Sequence, residues 1–169
     1  GNFSFGGYWK EEAIKYAHEF ITNEMGLEIN YVSVFGGDSN LKLGQRVPPD
    51  EESEKIWRSL GISKIKKCGR EDNFWGPTGK EGPCGPTTEI YINGLEVWNI
   101  VFNEFYGIEQ NTNWFVGNWN KIMEGRGHRD LKLTKLKTTG VDTGMGLERL
   151  AMVSQDVSNI FETDLFSSL

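Results

Sequence analysis

The stretch "TEIYINGLEVWNIVFNEFYG", residues 88–107, decides the fold. Thr88 to Ile92 are strand formers, Asn93-Gly94 is the dipeptide favoured in two-residue hairpin turns, and Leu95 to Gly107 supply a returning strand rich in Val, Ile, Phe and Trp. Strands joined this way are antiparallel, and an antiparallel sheet can pack one face on a core while the other meets solvent or a ligand.

Working outward, residues Tyr8 to Met25 carry Ile14, Ala17, Phe20 and Ile21 at helical spacing, with Glu11 and Glu12 in the first turn and Gly26 as the stop. "LEINYVSVFGG" (27–37) is a strand ended by a glycine pair. "PPDEESEKIWRSLG" (48–61) is a second helix, with prolines at its entry and Asp50, Glu51 and Glu52 where the helix dipole favours anions. "SKIKKCG" (63–69) is expected to be a strand with alternating faces. Gly76 to Pro86 is expected to be a loop of constrained shape, because glycine and proline crowd there. Gly107 to Thr139 is a long hairpin or insertion. The expected fold class is α+β, an antiparallel β-sheet flanked by helices, with residues 1–169 as one domain.

Composition narrows the functional classes. Hydrophobic residues make up 37% of the 169, and no apolar run approaches the ~20 residues of a membrane span, so no membrane role and a cytoplasmic setting are expected. Cys68 and Cys84 are the two cysteines and form no CxxC pair. His18 and His128 are isolated, so no zinc is expected; His18 is placed on a helix surface. A net charge of −6 argues against wrapping a phosphate backbone by bulk electrostatics. Two modest basic runs, Lys64, Lys66 and Lys67, and Arg126, Arg129, Lys132, Lys135 and Lys137, are as readily solvated faces.

The segment "VDTGMGLERLAMV" (141–153) passes from a strand end through Gly144 and Gly146 into a helix. Glycines before a helix start leave backbone N–H groups open to an anion, and Arg149, one turn in, could face the same ligand. Asp142 could hold an ammonium or cap the helix. "GKEG" (79–82) lacks the Walker arrangement and "GMGLER" (144–149) lacks the third glycine of the dinucleotide fingerprint, so a nucleotide would have to bind in another way.

"EDNFW" (71–75), "GPCGPTTEIYI" (82–92), "LEVWNIVF" (95–102) and "VDTGMGLERL" (141–150), in this order, resemble the catalytic domain of the alanyl-tRNA synthetases, a class II aminoacyl-tRNA synthetase family. "GNFSFGGYWKEEAI" (1–14) and "ETDLF" (162–166) fit the same resemblance, which is weakest over 36–67 and 107–139. It implies a partial class II catalytic fold in which 141–150 is motif 3. Trp75, Asn99, Val101, Asp142 and Gly144 are then expected to bind alanine, with Asp142 taking its ammonium group. Gly144, Gly146, Arg149 and Glu89 are expected to face ATP, with Glu89 as a magnesium ligand. No side chain is expected to act as nucleophile. Alanine, ATP with Mg2+, and the acceptor end of tRNA(Ala), met through the longer protein, are the implied ligands; oligomeric state is left open. In the family, motif 1 and the motif 2 arginine lie upstream of the part resembled here, so the chain alone is expected to be weak or inactive. Thr87 stands where many members carry a second cysteine. The alternative is a non-catalytic synthetase-like paralogue or remnant that binds alanine, adenylate or a protein partner.

Overall fold

The computed structural model describes residues 1–38, 46–110 and 131–166. Its centre is the 88–107 hairpin, extended in both directions. Strand β5 (Glu81–Ile92) turns at Asn93 and Gly94 into β6 (Leu95–Glu109), and β7 (Leu131–Met145) pairs antiparallel along β6. Asn93 and Gly94 both have positive φ, 52° and 80°, the requirement of the turn whose twist matches its flanking strands.

Around this three-stranded unit lie β1 (Ser4–Phe5), β2 (Tyr31–Phe35), β3 (Ile65–Cys68) and β4 (Phe74–Trp75), giving the order β1-β7-β6-β5-β2-β3, with β4 also paired to β5. The helices are α1 (Lys10–Glu19), continued by a π-helical turn at Phe20–Glu24, α2 (Glu51–Ser59), α3 (Arg70–Asn73) and α4 (Leu147–Ser154), followed by a 3-10 turn at Ile160–Glu162.

Strand periodicity sends Val32, Val34, Ile90, Ile100, Phe102 and Val141 to one face, where they are buried with Ala13, Ile14, Ala17 and Ile21 of α1 and Trp57 of α2. Each fully buried side chain of Val, Ile or Phe size contributes about 1.5–3 kcal/mol, so this face holds the sheet to its helices. Lys10 and Asp50 add a polar clamp between the two helix starts. Their ion pair is 2.7 Å long with side chains 6% and 1% exposed, and Asp50 also caps α2 by accepting from Ser53 N (3.1 Å) and Ser53 Oγ (2.7 Å).

The sheet departs from the sequence reading in several places. It is mixed: β2 and β3 run parallel, because α2 carries the chain back across the sheet between them. In β3 the faces do not alternate, since Lys66 and Lys67 are both exposed on an edge strand. Half of the expected 76–86 loop is strand, with Pro83 and Pro86 inside β5. The ladder tolerates them because the β5–β6 register breaks between Cys84 and Thr87, and β4 rather than β2 lies beside Pro86. His18 is half-buried, its ring 6.4 Å from that of Trp57, and burial lowers its pKa. Within 107–139, β6 continues to Glu109 and β7 starts at Leu131. Lys132, Lys135 and Lys137 are exposed there, whereas Arg126 and Arg129 lie outside the described residues.

Gly85 shows how tightly this region is built: a Cβ there would lie 1.8 Å from Phe102 O and 2.9 Å from Phe102 C. Gly85→Ala should therefore lower stability by at least about 2 kcal/mol in chemical denaturation, since a rigid backbone cannot yield as a core side chain does. Cys84, fully buried, has its thiol pushed up to about 11 by burial. It should resist iodoacetamide at pH 8 in the native protein and react once the protein is unfolded, as followed by mass spectrometry.

Candidate functional site

The face of the sheet opposite α1 and α2 is polar where a core would be apolar. Cross-strand partners share a face, so the registers Ser33↔Glu89, Glu89↔Asn99 and Asn99↔Gly144 form one row from β2 to β7. The registers Thr87↔Val101 and Val101↔Asp142 form the next. Glu89, Asn99, Val101, Asp142 and Gly144, expected from sequence to share a site, are thus brought together by pairing alone. Directly opposed residues in such rows stand about 5 Å apart and diagonal ones about 7–8 Å, a spacing that a small polar ligand can bridge.

Glu89 is 6% exposed and its carboxylate is surrounded by donors. Ser33 Oγ donates to Oε2 (2.8 Å), the Tyr91 hydroxyl donates to the same oxygen (2.7 Å), and Asn99 Nδ2 approaches Oε1 at 3.4 Å. Burial raises the Glu89 pKa, the hydrogen bonds from Tyr91 and Ser33 pull it down, and the charges of Glu96 and Asp72 push it up. Beneath it, Asn73 Nδ2 donates to Ser33 Oγ (2.9 Å) and to Thr87 Oγ1 (3.2 Å).

Asp142 is half-buried and accepts from the N–H of Thr143 (2.8 Å). It lies in β7 four residues before Gly146 and so does not cap α4, which removes that alternative. Among the described residues, the buried side-chain polar atoms without a hydrogen-bond partner are Asn73 Oδ1, Asn99 Oδ1 and Asn103 Oδ1. All three belong to this face or the layer under it: Asn103 follows Asn99 and Val101 at two-residue spacing, through an unbroken register with β7. The Asp142 carboxylate and three unpartnered amide oxygens leave this surface with acceptors to spare, while Ser33, Tyr91 and Asn99 direct their protons at Glu89. Orphaned acceptors cost free energy, so the surface is complementary to a donor-rich group such as an ammonium.

The other expected residues are arranged differently. Gly144 is a strand residue, and nothing lies within 4 Å of where its Cβ would be, so it leaves open space beside Asn99. Gly146 precedes α4 but its N–H already donates to Val97 O (3.3 Å). A Cβ on Gly146 would sit 3.2 Å from Arg149 Cδ, so this glycine makes room for the arginine stem. The Arg149 stem lies against Gly146, while its Nη1 donates to Glu96 O (3.0 Å) and Glu96 Oε2 (3.1 Å), and Glu96 pairs with Tyr91 across the hairpin. The cation therefore stands at the edge of the row that contains Glu89. Trp75, opposite Gly85 on β4, is 37% exposed and belongs to the rim. Clefts of about 430 and 470 Å3, one beside Lys10 and Asp50 and one beside Leu27 and Ser63, share no residue with this face.

Sequence reasoning missed Ser33, Asn73, Tyr91, Glu96 and Asn103. Tyr91 was legible as the second residue after Glu89 on a strand, and Ser33 as a polar residue inside "YVSVF". The role of Asn73 depends on contacts 14 and 40 residues distant in sequence, and no local signal carries it.

A magnesium ion held by protein carboxylates alone does not fit here. Among the described residues there is no group of three His, Cys, Asp or Glu side chains able to hold a metal. Glu89 Oε2 already receives two protons, so Oε1 alone is open to an ion and could be only one ligand beside others such as phosphate oxygens.

The sequence matches one known family, with which the fold is consistent. Residues 1–169 match the family model described as tRNA synthetases class II (A), and the chain belongs to that family. Among curated relatives it is 36% identical over 197 aligned residues to the alanine–tRNA ligase of Rubrobacter xylanophilus, covering 99% of this chain and 19% of that protein. It is 38% identical to the alanine–tRNA ligase of Leptospira interrogans, covering 97% of this chain and 16% of the relative. It is also 38% identical to that of Borreliella burgdorferi, covering 98% and 28%. The chain thus spans between about a sixth and just over a quarter of the length of these relatives. No helix among the described residues is long and apolar enough to cross a membrane.

Gly144→Ala separates the site from the fold. Its Cβ would meet open space, so the melting temperature should stay within about 2 °C, as for surface substitutions generally. Affinity for an aminoacyl-adenylate analogue should nevertheless fall, as titration of both variants would show.

Proposed function

We propose that the full-length protein carrying this chain is an alanine–tRNA ligase, and that this chain contributes the alanine-binding face and one edge of the ATP site. The observation that carries the reading is the juxtaposition of Asp142 with the orphaned Asn99 Oδ1 beside the open position of Gly144. The two acceptors receive the ammonium group of alanine, Asp142 supplying the compensating charge and Asn99 a neutral acceptor. Val101, opposite Asp142 and two residues from Asn99 on β6, meets the methyl group, and Trp75 closes the rim against longer side chains. Such apolar contacts discriminate by only about 1–3 kcal/mol per methylene, so serine and glycine are imperfectly rejected.

The reaction proceeds by attack of the alanine carboxylate on the α-phosphorus of ATP, with breakage of the α–β phosphoanhydride bond and release of pyrophosphate. The alanyl group then passes to the 3′ end of tRNA(Ala). The substrate carboxylate is itself the nucleophile, so no side chain of this chain takes that role; the chain orients the ammonium end and excludes water around it. Arg149 provides a cation at the nucleotide edge, with Gly146 giving it space, and is released from Glu96 when phosphate or base is present. Magnesium, when present with ATP, would supply charge neutralisation at the phosphates. Residues 1–169 act as one unit of a longer, cytosolic protein, and tRNA is met by that longer protein.

Binding of a non-hydrolysable alanyl-adenylate analogue tests this. Affinity for the alanyl analogue should exceed that for the leucyl analogue, and Asp142→Asn should reduce it by at least about tenfold, the worth of one charged hydrogen bond. Equal affinity in Asp142→Asn would remove the basis of the reading. An alanyl-specific site without alanine-dependent ATP–pyrophosphate exchange in the full-length protein would favour the non-catalytic alternative.

A further inference from the structure

We infer that Glu89 serves the alanine side of the site as a positioning residue, fixing which end of the Asn99 amide faces the ligand. The inference rests on the reading that Asp142 and Asn99 receive the ammonium group, and it gives Glu89 a task other than the metal ligation expected from sequence.

The hydrogen-bond directions leave one solution. Asn73 Nδ2 donates to Ser33 Oγ, so the Ser33 hydroxyl, which has one proton, directs it to Glu89 Oε2. The Tyr91 hydroxyl gives its single proton to the same oxygen, and its ring is held by stacking on Tyr31 with centroids 4.4 Å apart. Oε1 then faces Asn99. An ionised carboxylate only accepts, so the amide must present its NH2 end to Glu89, as it does at 3.4 Å. A flipped Asn99 would set its carbonyl against the carboxylate and its NH2 toward the ammonium, repelling both.

With the NH2 end held by Glu89, the carbonyl oxygen is turned away and is buried without a partner. A buried acceptor that the fold itself leaves unpaired is held ready for a ligand donor. The chain of control therefore runs from Asn73 through Ser33 to Glu89, and from Glu89 to Asn99. Three of the roughly four lone-pair sites of the Glu89 carboxylate are thus taken up by protons from Ser33, Tyr91 and Asn99, so its main task is to direct the amide.

The test uses the full-length protein with Glu89→Gln, whose amide can present its own NH2 to Asn99 and allow the flip. Alanine affinity is read by calorimetry, and KM values for alanine and ATP and the half-saturating Mg2+ concentration by ATP–pyrophosphate exchange. The expected result is at least about tenfold weaker alanine binding, with KM for ATP and the Mg2+ requirement within about twofold of the parent. If Glu89→Gln does not fold, Tyr91→Phe removes one of the two protons from Oε2 on a half-buried side chain, and should weaken alanine by about threefold without moving the Mg2+ requirement. A raised Mg2+ requirement or ATP KM with unchanged alanine affinity, in whichever variant is read, overturns the inference and returns Glu89 to the metal. Unchanged alanine affinity in Asp142→Asn would instead undo the reading beneath it, whatever Glu89 does.

Discussion

Everything on the functional face depends on the register of β5, β6 and β7. Side chains alternate with a period of two, so a slip of one residue in the 88–107 hairpin would carry Glu89, Asn99 and Val101 to the helix side and Ile90, Ile100 and Phe102 to the ligand side. Two things hold the register. The Asn93-Gly94 turn, both residues at positive φ, sets Ile92 opposite Leu95, and an irregularity between Ile90 and Tyr91 then shifts the pairing by one residue so that Glu89 faces Asn99. The apolar alternation makes any slipped pairing place isoleucine and phenylalanine in water and a carboxylate in the core. The site is in this sense a by-product of core formation: residues 45 positions apart in the chain, Asn99 and Gly144, become neighbours because Ile100 and Phe102 must meet α1.

The same register explains why a surface so rich in acceptors is tolerated. A buried amide oxygen without a partner costs about 1–3 kcal/mol, and three occur here in a small area. A sheet anchored on its other face by a continuous apolar cluster and by the buried Lys10–Asp50 pair can carry that cost. Functional faces are where local consistency is given up, and this face gives it up in a single chemical direction, toward a ligand that donates.

Much of this was legible in the sequence, for identifiable reasons. The hairpin followed from Asn93-Gly94 between β-forming runs, α1 from its apolar spacing, and α2 from its prolines and first-turn acids, because each signal is local. The row Glu89–Asn99–Gly144 was reachable only through the resemblance of four separated motifs, since cross-strand neighbours leave no mark on local pattern. The parallel pairing of β2 with β3 was hidden because a strand does not announce the direction of its partner. The strand character of Glu81 to Pro86 was hidden by two prolines, which are compatible with a ladder only where another strand shifts register. Helix periodicity brings Arg149 near the site, but its hydrogen bonds to Glu96, on a strand more than 50 residues earlier, leave no local signal. Ser33 and Asn73 carry no signature beyond being polar where their neighbours are not.

The most direct measurement is a crystal structure of the full-length protein with a non-hydrolysable alanyl-adenylate analogue bound. The expected result is an ammonium nitrogen within hydrogen-bonding distance, about 3 Å, of both Asp142 and Asn99 Oδ1, with Asn99 Nδ2 still on Glu89 and the methyl group against Val101. An analogue whose ammonium group lies away from Asp142, or whose binding turns the NH2 end of Asn99 toward it, would contradict the account.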